Sequence, residues 1–304
     1  MLVNEVLCNK CGQFYKKTSR YCINCEAKDI ELIKQHKNYG KKNLETSIII
    51  RTKNEERYLE HVLLMLKKQT YKNFEIVIVD DTSTDKTLEI AKKYNCKIVK
   101  IPEGKFTYPY ACNFGIRESI GENIVFLSGH SIPINTKWLE NGLNNFKSEK
   151  VAGVYAYPLS HYGVTTFQRI LYFFSQDFGN RRFIISNVNN MKIGRLDPYF
   201  HIFLFQWFPI TVAKKMKIGS LGFTNAIIRR DLWEKYNINE KFAGGGEDHD
   251  WARHWVGKGF VIVQDPKFKV YHSHHHKFIG WIKQFIGWTK MTKEIEFKPQ
   301  KRNF

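Results

Sequence analysis

Residue types that do chemistry gather in a few short stretches of this chain. Thr52 and Glu55 follow one apolar run, Asp80 and Asp81 end a second, and Ser128-Gly129-His130 end a third. Gly244-Gly245-Gly246 lead into Glu247-Asp248-His249-Asp250-Trp251, and His272, His274, His275 and His276 crowd the end of another strand. A carboxylate at Asp81 can accept hydrogen bonds from a base N–H or from ribose hydroxyls; a turn aspartate ahead of Thr82-Ser83 is the plainer alternative. The His130 imidazole can bind Mn²⁺ or Zn²⁺, and Mg²⁺ less well, since that ion prefers oxygen. It can equally donate to a phosphate oxygen, or simply occupy a turn. Alternate residues of a strand share a face, so His272 and His274 can point together at a diphosphate or a metal. The glycines permit a mobile loop and close backbone approach, and acids at a helix start are favoured by its dipole. Capping accounts for one acid, not for Glu247 and Asp248 together behind three glycines.

The elements that must position these groups follow from hydrophobic periodicity. SIIIRT reads as a strand, and NEERYLEHVLLMLKKQ carries Leu59, Val62, Leu63 and Leu66 at helical spacing. FEIVIVDD is a second strand, followed by the helix STDKTLEIAKKY with Ser83 or Thr84 as N-cap and Asp85 in its first turn. CKIVKI is a third strand, ACNFGIRESIG a helix closing on Gly121, NIVFLS a fourth strand and VAGVYAY a fifth. Such alternation predicts an α/β fold with right-handed crossovers, a mainly parallel sheet, and ligands at the carboxyl ends of its strands. The polar stretches lie at those ends. The first turn, Arg51 to Glu56, holds no glycine, which excludes a dinucleotide fingerprint. HExxH is absent, which argues against a metallohydrolase.

Outside this pattern, Cys8, Cys11, Cys22 and Cys25 form two CxxC pairs ten residues apart, the spacing of a structural zinc ribbon over residues 1–33. Cys96 and Cys112 read as packed residues. Residues 34–44 are polar and lysine-rich, a linker. Residues 277–304 place Phe278, Ile282, Phe285, Ile286 and Met291 at helical spacing among lysines, an amphipathic helix suited to an anionic membrane surface or to packing on the main domain. The chain has 304 residues, 43% of them hydrophobic, and a net charge of +19, so a core is affordable in size and an anionic partner is favoured. MLVNEVLCNK lacks a signal peptide's apolar core, and no uncharged apolar run reaches bilayer length. These features suggest a cytoplasmic protein, peripheral on the inner face of a membrane. A zinc-ribbon nucleic-acid-binding protein is the rival reading. The acids at the strand ends oppose it because they repel phosphate backbones, so no nucleic acid is expected.

In order along the chain, SIIIRTKNEERYLEHVLLMLKKQTYKNFEIVIVDDTSTDKTLEIA, GFTNAIIRRDLW, GGGEDHDWARHWVGKG and VYHSH resemble the family 2 glycosyltransferases with the GT-A fold. The likeness runs from about Thr46 to His276 and implies a Rossmann-like GT-A domain over residues 45–276. It implies transfer of a hexosyl or deoxyhexosyl group, usually with inversion, from a nucleotide-diphosphate sugar, with a divalent cation (Mn or Mg) assisting. The implied acceptor is a hydroxyl of a glycan or lipid-linked precursor of cell-surface polysaccharide. By the same likeness Thr52, Glu55, Asp80 and Asp81 bind the nucleotide, and Asp248 is the general base. Glu247 is the runner-up or positions the acceptor, while Asn225 and Trp251 contact the donor sugar or acceptor. The family's fourth strand ends in a DxD-type motif for ribose and metal–diphosphate. Here Ser128-Gly129-His130 stands in its place. The resemblance therefore implies that His130, with Ser128, His272 and His274, serves the donor diphosphate or its metal.

Overall fold

In the computed structural model, described residues comprise 5–7, 14–16, 46–159, 182–186, 191–192, 218–219 and 221–272. Strands β1 (Glu5–Leu7) and β2 (Phe14–Lys16) pair antiparallel across the residues that carry Cys8 and Cys11. The expectations for Cys8, Cys11, Cys22, Cys25, His274 and the helix in 277–304 lie outside the described residues.

The main sheet grows from β3 (Thr46–Thr52), whose isoleucines are buried on both faces: Ile49 in one core, Ile48 and Ile50 in the other. Double burial suits a central parallel strand covered by helices on both sides. Around it lie α1 (Leu59–Lys67), β4 (Phe74–Asp80), α2 (Thr87–Lys93), β5 (Lys97–Lys100), α3 (Tyr108–Arg117) and β6 (Asn123–Ser128). After β7 (Ile132–Pro133) and α4 (Trp138–Leu143) comes β8 (Val151–Tyr155). Then follow β9 (Phe183–Ile185), β10 (Met191–Lys192), β11 (Ile218–Gly219), β12 (Asn225–Arg229), α5 (Arg230–Lys235), α6 (Glu247–Gly257), β13 (Val261–Gln264) and β14 (Val270–Tyr271). Eight strands form one sheet in the order β5-β4-β3-β6-β12-β8-β13-β9. β5, β4, β3 and β6 run parallel, as do β8 and β13; β12 and β9 are reversed. The expected mainly parallel sheet flanked by helices is what forms. Among the described residues, no helix is long and apolar enough to cross a membrane.

One neighbour relation is set by the fold alone, and two local expectations are corrected. The fifth strand, β8, does not neighbour the fourth, because β12 is inserted antiparallel between them. Helix α2 starts at Thr87 rather than behind Ser83 or Thr84. Asp80 takes the Ser83 N–H, and the Asp85 carboxylate accepts from the Thr87 N–H, so these side chains hold a turn in place of the first helical turn. Helix α3 starts at Tyr108 because Thr107 accepts from the Tyr110 N–H at 3.2 Å, and it ends at Arg117, before Gly121.

Gly121 instead donates its N–H to Ser47 Oγ at 2.7 Å, where the chain enters β6. A Cβ there would lie 2.5 Å from the Ser47 backbone nitrogen and 2.6 Å from the Thr46 carbonyl carbon. Backbone cannot rotate aside as a side chain does. Gly121→Ala is therefore expected to destabilise the fold by about 1–3 kcal/mol, the usual cost of overpacking, measured by chemical denaturation.

Candidate active site

At the carboxyl edge of the parallel strands, β4, β3 and β6 stop level. Thr52 pairs in register with Asp80, and Arg51 with Ser128. Asp80 is fully buried, and its carboxylate accepts from the Thr52 hydroxyl at 3.0 Å and from the N–H and hydroxyl of Ser83. Asp80 and the Thr52 hydroxyl thus serve the turn, not the face a nucleotide would meet. Asp81 lies at the rim with Oδ2 2.7 Å from Lys53 Nζ, an amine well exposed to solvent. The loops after β3 and β4 are stapled together. Asn54 N–H donates to Ser83 Oγ, Thr84 N–H to Asn54 Oδ1, Glu55 N–H to Thr87 Oγ1 and Glu56 N–H to Asp85 Oδ2. Asn54 and Thr82 sit at φ of 55° and 53°, left-handed conformations that this stapling sustains.

The short antiparallel pair β7–β14 joins two stretches that lie far apart in sequence, with Tyr271 opposite Ile132. It brings the His130 and His272 rings into a stack, with centroids 4.5 Å apart and planes 23° apart. His130 Nδ1 is 2.7 Å from Glu55 Oε1, and His272 Nδ1 is 2.9 Å from the hydroxyl of fully buried Ser131. A carboxylate accepts, so His130 Nδ1 donates to Glu55. Any ligand contact of either ring is then made through Nε2. The structure thereby turns Glu55, expected at the nucleoside, towards the histidine. Ser131, hidden inside the stretch FLSGHSIP, had no signal beyond its place two residues from a strand end.

Asn225 opens β12 at the same edge but is buried. Its Oδ1 accepts from Trp138 Nε1 at 3.2 Å and its Nδ2 donates to the Phe268 carbonyl at 2.5 Å. Both polar ends are committed to bracing, which takes it away from a sugar contact. Trp251 is likewise 0% exposed, its indole N–H donating to the Tyr236 carbonyl at 2.9 Å, and so packs the core rather than a substrate.

Helix α6 carries the acid pair. Gly245 and Gly246 have φ of 113° and 94°, backbone open to glycine and strained for other residues, and Gly246 caps the helix with no side-chain bond. Glu247 and Asp248 are only 5% and 6% exposed. Asp248 Oδ1 accepts from the His249 N–H at 2.8 Å. Tyr236 clamps the helix from outside: its hydroxyl donates to Asp250 Oδ2 at 2.8 Å, and its ring stacks on His254 at 3.7 Å. Sequence reasoning passed over Tyr236, since a lone tyrosine after a helix carries no pattern. The Cys112 thiol, on α3, relates this helix to β3. Burial pushes its pKa up to about 12, with Glu247 and Asp248 adding to the rise and a hydrogen-bonded Arg51 opposing it. Arg51 itself donates to the Phe223 carbonyl at 2.7 Å, so β3 also holds the turn that leads into β12.

Two outcomes test this placement. Asn225→Ala should leave the Trp138 N–H and Phe268 carbonyl without their partner, costing on the order of 1–3 kcal/mol for each, read as a lowered denaturation midpoint. Cys112 should resist iodoacetamide at pH 8 in the native protein and react once it is unfolded. The folded chain holds this proton to about 12 against an ordinary 9.0. Its contribution to stability is therefore full below the ordinary value and falls as pH rises through the folded one.

Residues 47–236 of the 304 match the model of "Glycosyl transferase family 2". Over 120 residues the chain is 37% identical to dolichyl N-acetyl-alpha-D-glucosaminyl phosphate 3-beta-D-2,3-diacetamido-2,3-dideoxy-beta-D-glucuronosyltransferase of Methanococcus voltae, covering 36% of this chain and 37% of that one. It is 34% identical over 87 residues to poly(ribitol-phosphate) beta-N-acetylglucosaminyltransferase TarS of Staphylococcus aureus, covering 27% of this chain and 15% of that one. The chain thus matches well under half the length of either relative. Among solved structures, it is similar to the mannosyltransferase PcManGT of Pyrobaculum calidifontis, in complex with GDP-Man and Mn²⁺. That superposition has a TM-score of 0.57 at 15% identity and covers 85% of this chain and 66% of that one. S. aureus TarS 1–349 in complex with UDP-GlcNAc superposes with a TM-score of 0.53 at 17% identity, covering 85% and 68%. These likenesses show a shared fold. With the family's model matched from the first strand of the main sheet through α5, the chain belongs to glycosyl transferase family 2.

Proposed function

We propose that the chain transfers a sugar from a nucleoside-diphosphate donor to a hydroxyl of a glycan or lipid-linked acceptor, with inversion at the anomeric carbon. The observation that carries the reading is the buried acid pair Glu247–Asp248 at the head of α6, within electrostatic reach of the same Cys112 thiol that Arg51 bonds. Arg51 directly precedes the strand end where Thr52 and Asp81 lie, Asp81 donating its N–H to the Thr52 carbonyl at 2.9 Å. That shared influence on one thiol supports reading a base and a nucleoside site that serve the same donor.

In this reading Asp81, with Lys53 beside it, receives the nucleoside. Asp248 takes the proton of the acceptor hydroxyl as its oxygen bonds to the anomeric carbon, while the bond from that carbon to the diphosphate breaks. A base is required because a sugar hydroxyl is a weak nucleophile. Burial of Asp248 excludes water that would otherwise compete as acceptor. Glu247 positions the acceptor. His130 and His272 receive the leaving diphosphate.

The family resemblance also implies a divalent cation, and the donor set suits one of a particular kind. A histidine whose second nitrogen is held by a carboxylate is a common arrangement for a metal ligand. Among the described residues no three His, Cys, Asp or Glu are arranged to hold a metal ion by themselves, so the diphosphate would have to complete the shell. His130 and His272 would hold a nitrogen-accepting ion such as Mn²⁺, which would neutralise charge on the leaving diphosphate.

Asp248→Asn should leave nucleotide affinity nearly intact and lower kcat by roughly 10²–10⁴-fold, the range attributed to a general base. Asp81→Ala should instead weaken nucleotide binding. Calorimetry with UDP and GDP, paired with transfer or donor-hydrolysis rates, separates the two. Equal loss of nucleotide binding in both variants would show the roles to be misassigned.

A further inference from the structure

Glu55, Gly129 and His130 form one unit, and its members come from two different strand ends. Glu55 leaves the loop after β3 and crosses directly over the turn after β6. A Cβ placed on Gly129 would lie 2.7 Å from Glu55 Cγ, 3.1 Å from its Cδ and 3.2 Å from its Cβ. Gly129 is not among the residues with positive φ, so the backbone conformation does not call for glycine here. Space does. The missing side chain is the room through which Glu55 reaches His130 Nδ1 at 2.7 Å.

The backbone of Glu55 is separately anchored. Its N–H donates to Thr87 Oγ1 at 2.7 Å, and its carbonyl accepts from the N–H groups of Tyr58 and Leu59 at 3.0 and 2.9 Å. None of these bonds involves the carboxylate, whose Oε1 is left to orient the imidazole. Both side chains are 17% exposed, while His130 Nε2 itself is buried. The second ring of the stack is fixed in a parallel way by Ser131.

We infer that Glu55 is a positioning residue that acts through His130 on the diphosphate end of the donor, and not a ligand of the nucleoside. The inference rests on the reading that this site takes a nucleoside diphosphate. It also explains the Ser-Gly-His turn as a unit: the glycine exists for Glu55, and Glu55 for the histidine. The group that meets His130 is a phosphate oxygen or a cation bound to one, and both belong to the same end of the donor.

The test compares UDP with UMP, and GDP with GMP, titrated calorimetrically into the full chain with and without Mn²⁺. Glu55→Gln should weaken the diphosphate by about 10–100-fold, the usual effect of removing a residue that orients a ligand, while leaving the monophosphate affinity unchanged. Gly129→Ala should reproduce that pattern by displacing the Glu55 side chain. Combining Glu55→Gln with His130→Ala should cost no more than His130→Ala alone, since residues acting through one contact are not additive. A loss seen only with Mn²⁺ assigns the pair to the cation; a loss seen without it assigns the pair to the phosphate directly. Equal weakening of monophosphate and diphosphate in Glu55→Gln would overturn the inference and return Glu55 to the nucleoside. Additive losses in the double variant would overturn it as well. Wild-type protein that binds none of the four nucleotides would instead overturn the functional reading itself, and this inference with it.

Discussion

The polar edge of this chain depends on β3 being paired on both sides in parallel register. With β4 on one flank and β6 on the other, Thr52, Asp80 and Ser128 stop at one level. The isoleucines that make this possible are buried on both faces, so a slip of one residue would exchange Ile49 with its neighbours between two filled cores. Such a slip is costly, which fixes the register. Asp80 is the polar counterpart of that constraint. Fully buried, it is tolerable only because Thr52 and Ser83 satisfy its oxygens. Once the register is set, the two loops that follow have little choice but to lie against each other.

The other half of the edge is built differently. The acid-bearing helix begins at Gly246, which offers no side-chain cap, and its first turn is buried. Anchoring comes from the body of the helix, where Tyr236 holds Trp251, Asp250 and His254 through carbonyl, hydroxyl and ring. Asn225 links this half to the first, because Trp138 and Phe268 come from segments on either side of β8 in the chain. Its burial is the reason an amide at a strand start serves the scaffold.

The parallel half of the fold was legible because each strand there is a short apolar run closed by polar residues, and each helix shows apolar spacing. Helix starts were less so. Ser83, Thr84 and Asp85 are good capping residues, but the Ser83 hydroxyl is drawn to Asp80, that of Thr84 to Asn54, and Asp85 accepts from the Glu56 and Thr87 N–H groups, demands that local propensity does not contain. The antiparallel insertion of β12 could not be read either. Asn225 to Arg229 is an ordinary apolar run, and nothing in its composition says that it parts β6 from β8. For the candidate site, the residue types singled out collect at one edge, while their partners did not follow from types. Glu55 and His130 are 75 residues apart, and Ser131 and His272 are 141 apart. Only the pairing of β7 with β14 and the crossing at Gly129 bring them together.

That crossing bears on how one family can change its phosphate-handling turn without losing the site. An acid at this turn needs a cation between itself and a diphosphate, because two anions repel. An imidazole can face phosphate directly or through a metal, but a neutral ring with two nitrogens has two ways to place its proton. Exchanging acid for histidine therefore moves the difficulty from charge to orientation. A carboxylate on Nδ1 resolves it by fixing which nitrogen donates inward and which faces the ligand. Glu55 is supplied by the loop after β3, and at the turn the glycine gives it room and the histidine gives it a partner. On this argument the two changes belong together: histidine without the glycine would lack its orienting partner, and glycine without the histidine would leave Glu55 facing an anion with nothing between them.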